Sequence, residues 1–67
     1  MEIKTWQMRK AKGVTLEQLG RSTDISKSCL NNIENGKTSP TLDQLERIAK
    51  ALNVKITDLF ESLSLYF

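Results

Sequence analysis

Helix-start and helix-stop signals recur so often along this chain that a set of short helices is the regular structure its body supports. Thr15 with Gln18, and Thr41 with Gln44, each have the form of a capping box. In that motif the cap hydroxyl and the third helical side chain satisfy each other's free backbone N–H groups. Ser26 stands as a third N-cap. Gly13 and Gly36 sit where a left-handed residue ends a helix, and Asn53 can do the same. Pro40 biases Ser39 away from helix and makes "KTSP" a loop. These marks predict helices over about Glu2 to Lys12, Leu16 to Ser22, Lys27 to Asn35 and Leu42 to Leu52, with a short fifth over about Ile56 to Glu61. The end, "SLSLYF", alternates like a strand but could also extend the fifth helix.

Five such helices make an all-α domain of local contacts, and the 67 residues allow one domain, 1–67. A chain this small buries only ~60% of its unfolded surface and needs well-packed helices. The expected core is Met8, Val14, Leu19, Ile25, Leu30, Ile33, Leu42, Leu45, Ile48, Leu52, Val54, Leu59 and Phe60. Cys29 is the only cysteine and there is no histidine, which rules out a disulfide within the chain, a Cys/His metal site and a Ser-His-Asp triad. Glycines are too few for a phosphate loop, and the carboxylates are scattered. The expectation is therefore no enzyme, no metal and no cofactor. With no apolar run near ~18 residues and no signal peptide, the expected location is cytoplasmic.

The net charge of +2 is unevenly placed. Residues 1–37 hold seven basic and four acidic groups, a balance of +3, while residues 38–67 come to −1. One half can face a polyanion. The third helix gives that idea a location. On a wheel of ~100° per residue, Leu30, Ile33 and Glu34 fall on one side and Ser28, Asn31, Asn32 and Asn35 on the other, with Lys27 at a flank. Asparagine is a poor helix former, so a merely solvated face would favour Glu, Lys, Gln or Arg. An amide donates and accepts at once, which suits adenine N6 and N7 in a major groove. Only Thr23, Asp24 and Ile25 separate this helix from the one before it. A short helix, a tight turn and a polar-faced second helix describe a helix-turn-helix.

The stretch "TLEQLGRSTDISKSCLNNIENGKTSPTLDQLERIAKALNVKITDLF" resembles the Xre / phage-repressor (lambda-repressor-like) class of helix-turn-helix domains. The likeness runs through Lys12-Gly13, Thr15 to Gly20, Ile25-Ser26, Leu30 to Gly36, Pro40-Thr41-Leu42 and Ile48 to Val54, and covers about residues 5 to 60. It implies a five-helix fold with the motif at helices 2 and 3, and binding of double-stranded DNA as a homodimer. Carried over position by position, it implies base contacts from Lys27, Ser28, Asn31 and Asn32. It implies phosphate contacts from Lys12, Thr15, Glu17, Arg21, Asn35 and Lys37, and a structural ion pair between Arg9 and Glu34. The chain departs from the family at Leu16, where Gln often clamps a phosphate, and at Gly20, where Ala is usual. It departs again at Trp6, a position usually polar.

Lys4 and Lys10 extend the candidate phosphate belt. Trp6 has two readings, packing on the C-terminal tail or an exposed protein-binding patch. Cys29 likewise is either a packed small residue or a redox-sensitive thiol near a helix start. The tail, 61–67, is strongly apolar, and Leu59, Phe60, Leu63, Leu65, Tyr66 and Phe67 form a candidate two-fold dimer interface. The sequence thus reads as a bacterial or phage transcriptional regulator, a homodimeric repressor using helix 3 on a palindromic operator. The alternatives are a protein-interaction module of antitoxin or anti-repressor type, with a regulatory protein partner, and an activator of restriction-modification controller type. No small-molecule ligand is indicated.

Overall fold

The computed structural model describes residues 2–61. Along the chain these form β1 (Glu2–Ile3), α1 (Thr5–Ala11), α2 (Leu16–Thr23), α3 (Lys27–Glu34), α4 (Leu42–Leu52), a single 3-10 turn (Ile56–Leu59) and β2 (Phe60–Glu61). The fold is all-α apart from the two-residue strands. These pair antiparallel, with Glu2 opposite Glu61 and Ile3 opposite Phe60.

The ends of α3 and α4 and the start of α2 have identifiable chemical causes. Both capping boxes are closed: Gln18 N–H donates to Thr15 Oγ1 at 3.1 Å and Thr15 N–H to Gln18 Oε1 at 2.8 Å. The Thr41–Gln44 pair repeats this at 3.1 and 3.0 Å. Ser26 Oγ accepts from Cys29 N–H at 3.1 Å. Gly36 has φ 74°, and its N–H donates to Ile33 O while Lys37 N–H donates to Asn32 O. That pair of bonds is a Schellman closure, and it needs the positive φ that glycine adopts without strain. Asn53 closes α4 in the same way with φ 56°.

Two expectations fail at the chain ends, for one shared reason. The first helix starts at Thr5 instead of Glu2, and the fifth helix is replaced by a 3-10 turn and β2. The backbone at both ends bonds to the other end: Ile3 pairs with Phe60, and Lys4 N–H donates to Leu59 O. Backbone groups used in a cross-chain ladder are not available to a helix. The tail "SLSLYF", residues 62–67, lies outside the described residues.

The core gathers Leu19, Ile25, Leu30, Leu45, Ile48, Ala49, Leu52 and Leu59, with Met8, Val14, Leu16, Val54, Ile56 and Phe60 packed partly against it. Leu42 is a correction, since it is 70% exposed. It is the first residue of α4, one turn before the apolar stripe meets the core at Leu45. Leu59 is expected both in the core and at the interface, and the structure bears out the core reading. It is fully buried within its own domain, so it is a core residue and not a surface group for a partner. Leu63, Leu65, Tyr66 and Phe67 lie outside the described residues.

Candidate nucleic-acid interface

The α2–α3 joint is fixed on three sides. Thr23 Oγ1–H donates to Leu19 O at 2.7 Å and accepts from Ile25 N–H at 3.3 Å, closing the end of α2 with its own side chain. Arg47 of α4 donates from Nη1 to Thr23 O at 3.3 Å. Asp24 carries the turn in the left-handed conformation, φ 59°. A Cβ placed on Gly20 would lie 3.2 Å from Ile25 O and 3.8 Å from Leu30 Cδ1. The missing side chain therefore lets α2 sit directly against the turn and α3.

α3 is held from inside by Leu30 and Ile33, 0% and 1% exposed, and by an ion pair. Arg9 Nε and Nη2 donate to the two oxygens of Glu34 at 2.7 and 3.0 Å, a bidentate fork. Arg9 Nη1 also donates to Val14 O at 3.0 Å. The hydrogen bonding to Glu34 raises the Arg9 pKa above the ordinary arginine value, its partial desolvation pulls the other way, and the Glu34 charge adds to the rise. One side chain thus ties α1 to both the loop before α2 and the far end of α3. Glu34 is committed inward and is not available as a ligand or base.

Outward, α3 presents Lys27, Ser28 and Asn31 exposed, with Asn32 half-buried and Asn35 exposed just past its end. Asn32 has a second task that its residue type does not advertise. Its carbonyl accepts from Lys37 N–H at 2.9 Å and Thr38 N–H at 3.4 Å, anchoring the following loop to the helix. Cys29 lies half-buried, and Gln44 Nε2 donates toward its sulfur at 3.6 Å. That contact favours the packing reading of the thiol. Leu16 packs partly against the core.

The residues carried over as phosphate contacts fall into separate places. Lys12 and Thr15 flank the junction of α1 and α2, where Thr15 Oγ1 already accepts from Gln18 and its own O–H remains as a donor. Asn35 and Lys37 are exposed at the other end, beyond α3. Glu17 does not fit the role through its side chain. Its carboxylate lies 3.5 Å from Lys27 Nζ and 4.0 Å from Arg21 Nη2, and an anion cannot donate to a phosphate. Only its backbone N–H at the start of α2 could do so. Lys10 Nζ stands 5.8 Å from the centroid of the Trp6 ring, a cation–π distance. Trp6 itself is 49% exposed and borders a groove of about 560 Å³ with Ile3, Gln7, Asn35 and Gly36. Its packing on the tail falls outside the described residues.

Among the described residues there is no cluster of side chains that could hold a metal ion, and no helix is long and apolar enough to cross a membrane.

A family model described as helix-turn-helix matches residues 7–59. The chain is 35% identical over 60 residues to the HTH-type transcriptional regulator SlrR of Bacillus subtilis, covering 88% of this chain and 40% of that protein. It is 30% identical over 60 residues to an uncharacterized HTH-type transcriptional regulator of Archaeoglobus fulgidus, covering 90% of this chain and 86% of the other. The fold is similar to the crystal structure of the restriction-modification controller protein C.AhdI from Aeromonas hydrophila. The TM-score there is 0.80 and the identity 27%, over 84% of this chain and 85% of that one. The chain spans less than half the length of SlrR.

Proposed function

Because the chain belongs to the helix-turn-helix family, we propose that it is a sequence-specific, DNA-binding transcriptional regulator. It docks α3 in the major groove and reads base edges with Lys27, Ser28, Asn31 and the outer part of Asn32. Thr15 O–H, Lys12, Arg21, Asn35 and Lys37 grip the phosphates on either side. The observation that supports this reading most is the division of α3. Leu30, Ile33 and the Arg9–Glu34 pair bury one side, and short amides and a hydroxyl are left on the other, on a joint too constrained to swing away. One such helix reads only a few base pairs, so the regulator works as a homodimer on a palindrome with half-sites ~34 Å apart. The apolar tail and Phe60 supply the two-fold contact, with Leu59 supporting it from the core.

The likeness to C.AhdI, a restriction-modification controller protein, favours a second reading within the same chemistry, an activator of controller type. The position of the operator relative to the promoter separates the two. A salt titration separates either from a protein-interaction module built on the Trp6 groove. On duplex DNA, affinity is expected to drop by orders of magnitude between ~50 and ~200 mM salt. A flat response would overturn the DNA-binding reading.

A further inference from the structure

We propose that Glu17 is a specificity-determining residue, an acidic brake on the interface that lowers binding to non-cognate DNA more than binding to the operator. The inference rests on the DNA-binding reading above. Glu17 is an acid set among the basic and neutral groups of α2 and the start of α3. Its side chain is 64% exposed and faces Lys27 Nζ at 3.5 Å and Arg21 Nη2 at 4.0 Å. Exposed pairs at such distances add little to folding stability, so stability does not account for the arrangement. What it does alter is the field seen by an approaching polyanion.

The two modes of DNA binding respond differently to that carboxylate. Non-specific binding is held by Lys and Arg on phosphates. There Glu17 both repels the backbone and occupies Arg21 and Lys27, so every phosphate contact from those two must displace it. In the specific mode the same repulsion applies, but Lys27 is directed at a base edge. A lysine stem is flexible and loses rotamer freedom on docking. The carboxylate, 3.5 Å from Lys27 Nζ, biases the lysine toward the gap between α2 and α3 before DNA arrives, which offsets part of its own repulsion in that mode alone. Glu17 therefore costs the non-specific complex more than the specific one.

The test compares the wild-type chain with Glu17→Gln on its selected operator duplex and on a random-sequence duplex of equal length, across a salt series. The variant is expected to bind the random duplex about fivefold more tightly at moderate salt, from removal of one nearby unit of repulsion. The slope of log affinity against log salt should steepen by about one as Arg21 gains a phosphate. Operator binding is expected to change less than about twofold by the same reasoning, so the specificity ratio falls. In a Lys27→Gln background the substitution should shift both duplexes equally, since no lysine remains to be held. An equal shift on both duplexes in the wild-type background, or a loss on both, would overturn the proposal. Thermal melting of each variant shows that folding is intact. If the wild-type chain shows no salt-dependent duplex binding, the DNA-binding reading fails and this inference with it. If it binds but the ratio is unchanged in Glu17→Gln, only the inference fails.

Discussion

The two sides of α3 share eight residues of backbone and obey different rules. The inner side, Leu30, Ile33 and Glu34, is withdrawn from solvent: the two apolar residues are buried and the acid is held by a bidentate arginine. The outer side, Lys27, Ser28 and Asn31, is exposed, and its side-chain amide and hydroxyl groups face solvent in a helix they do little to stabilise. On the proposed reading, the difference separates stability from recognition within a single helix of two turns. Substitutions on one side should change folding and leave the choice of DNA sequence alone, and the reverse should hold on the other.

The comparison is most easily broken at Leu30. Leu30→Ala removes a fully buried side chain and is expected to cost about 2–5 kcal/mol, a large share of the stability available to so small a domain. Urea unfolding measures it. A loss under 1 kcal/mol would mean that the inner side is not the anchor. Glu34→Gln comes next. It leaves the Arg9 guanidinium, with side-chain exposure of only 11%, without its charged partner, at an expected cost of about 2–3 kcal/mol. Replacing both residues together, Arg9→Met with Glu34→Leu, should recover much of that loss. If the double variant is worse than the sum of the singles, the pair is not acting as a buried ion pair.

A smaller effect of opposite sign is expected at Thr5. Its hydroxyl is fully buried and makes no hydrogen bond among the described residues. Thr5→Val keeps the shape and removes the unpaired group, which should raise stability by about 1 kcal/mol and shift the melting temperature upward. A fall would show that the hydroxyl is already satisfied. Smallest of all is the expected change for Asn31→Ala, within about 0.5 kcal/mol in unfolding free energy, as for surface positions that touch nothing critical.

Much of this arrangement is legible in the amino-acid sequence where the deciding interactions are local. The capping boxes at Thr15 and Thr41, the glycine closure at Gly36 and the amide face of α3 are matters of spacing within a few residues. The parts that are not legible depend on distant partners. Nothing near Glu2 announces that its backbone pairs with Glu61, so helical propensity at both ends gives the wrong element. Leu42 continues the apolar stripe of α4 by period but overhangs the core. The pairing of Glu17 with Lys27 requires knowing how closely α2 approaches α3. The absent Cβ of Gly20 sets that distance, and sequence alone only hints at it. Arg47 reaching from α4 to Thr23 O at the end of α2 has no local signal at all.

The central claim is that the outward amides of α3 choose the DNA sequence while the inward residues only hold the helix. Selection of bound sites from a random duplex pool, run side by side for the wild-type chain and Asn31→Ala, tests this most directly. The account predicts an inverted repeat for the wild type. For the variant it predicts the same repeat and spacing with preference relaxed at one base pair in each half-site, by about 1–3 kcal/mol of discrimination. An unchanged site preference in Asn31→Ala would contradict it.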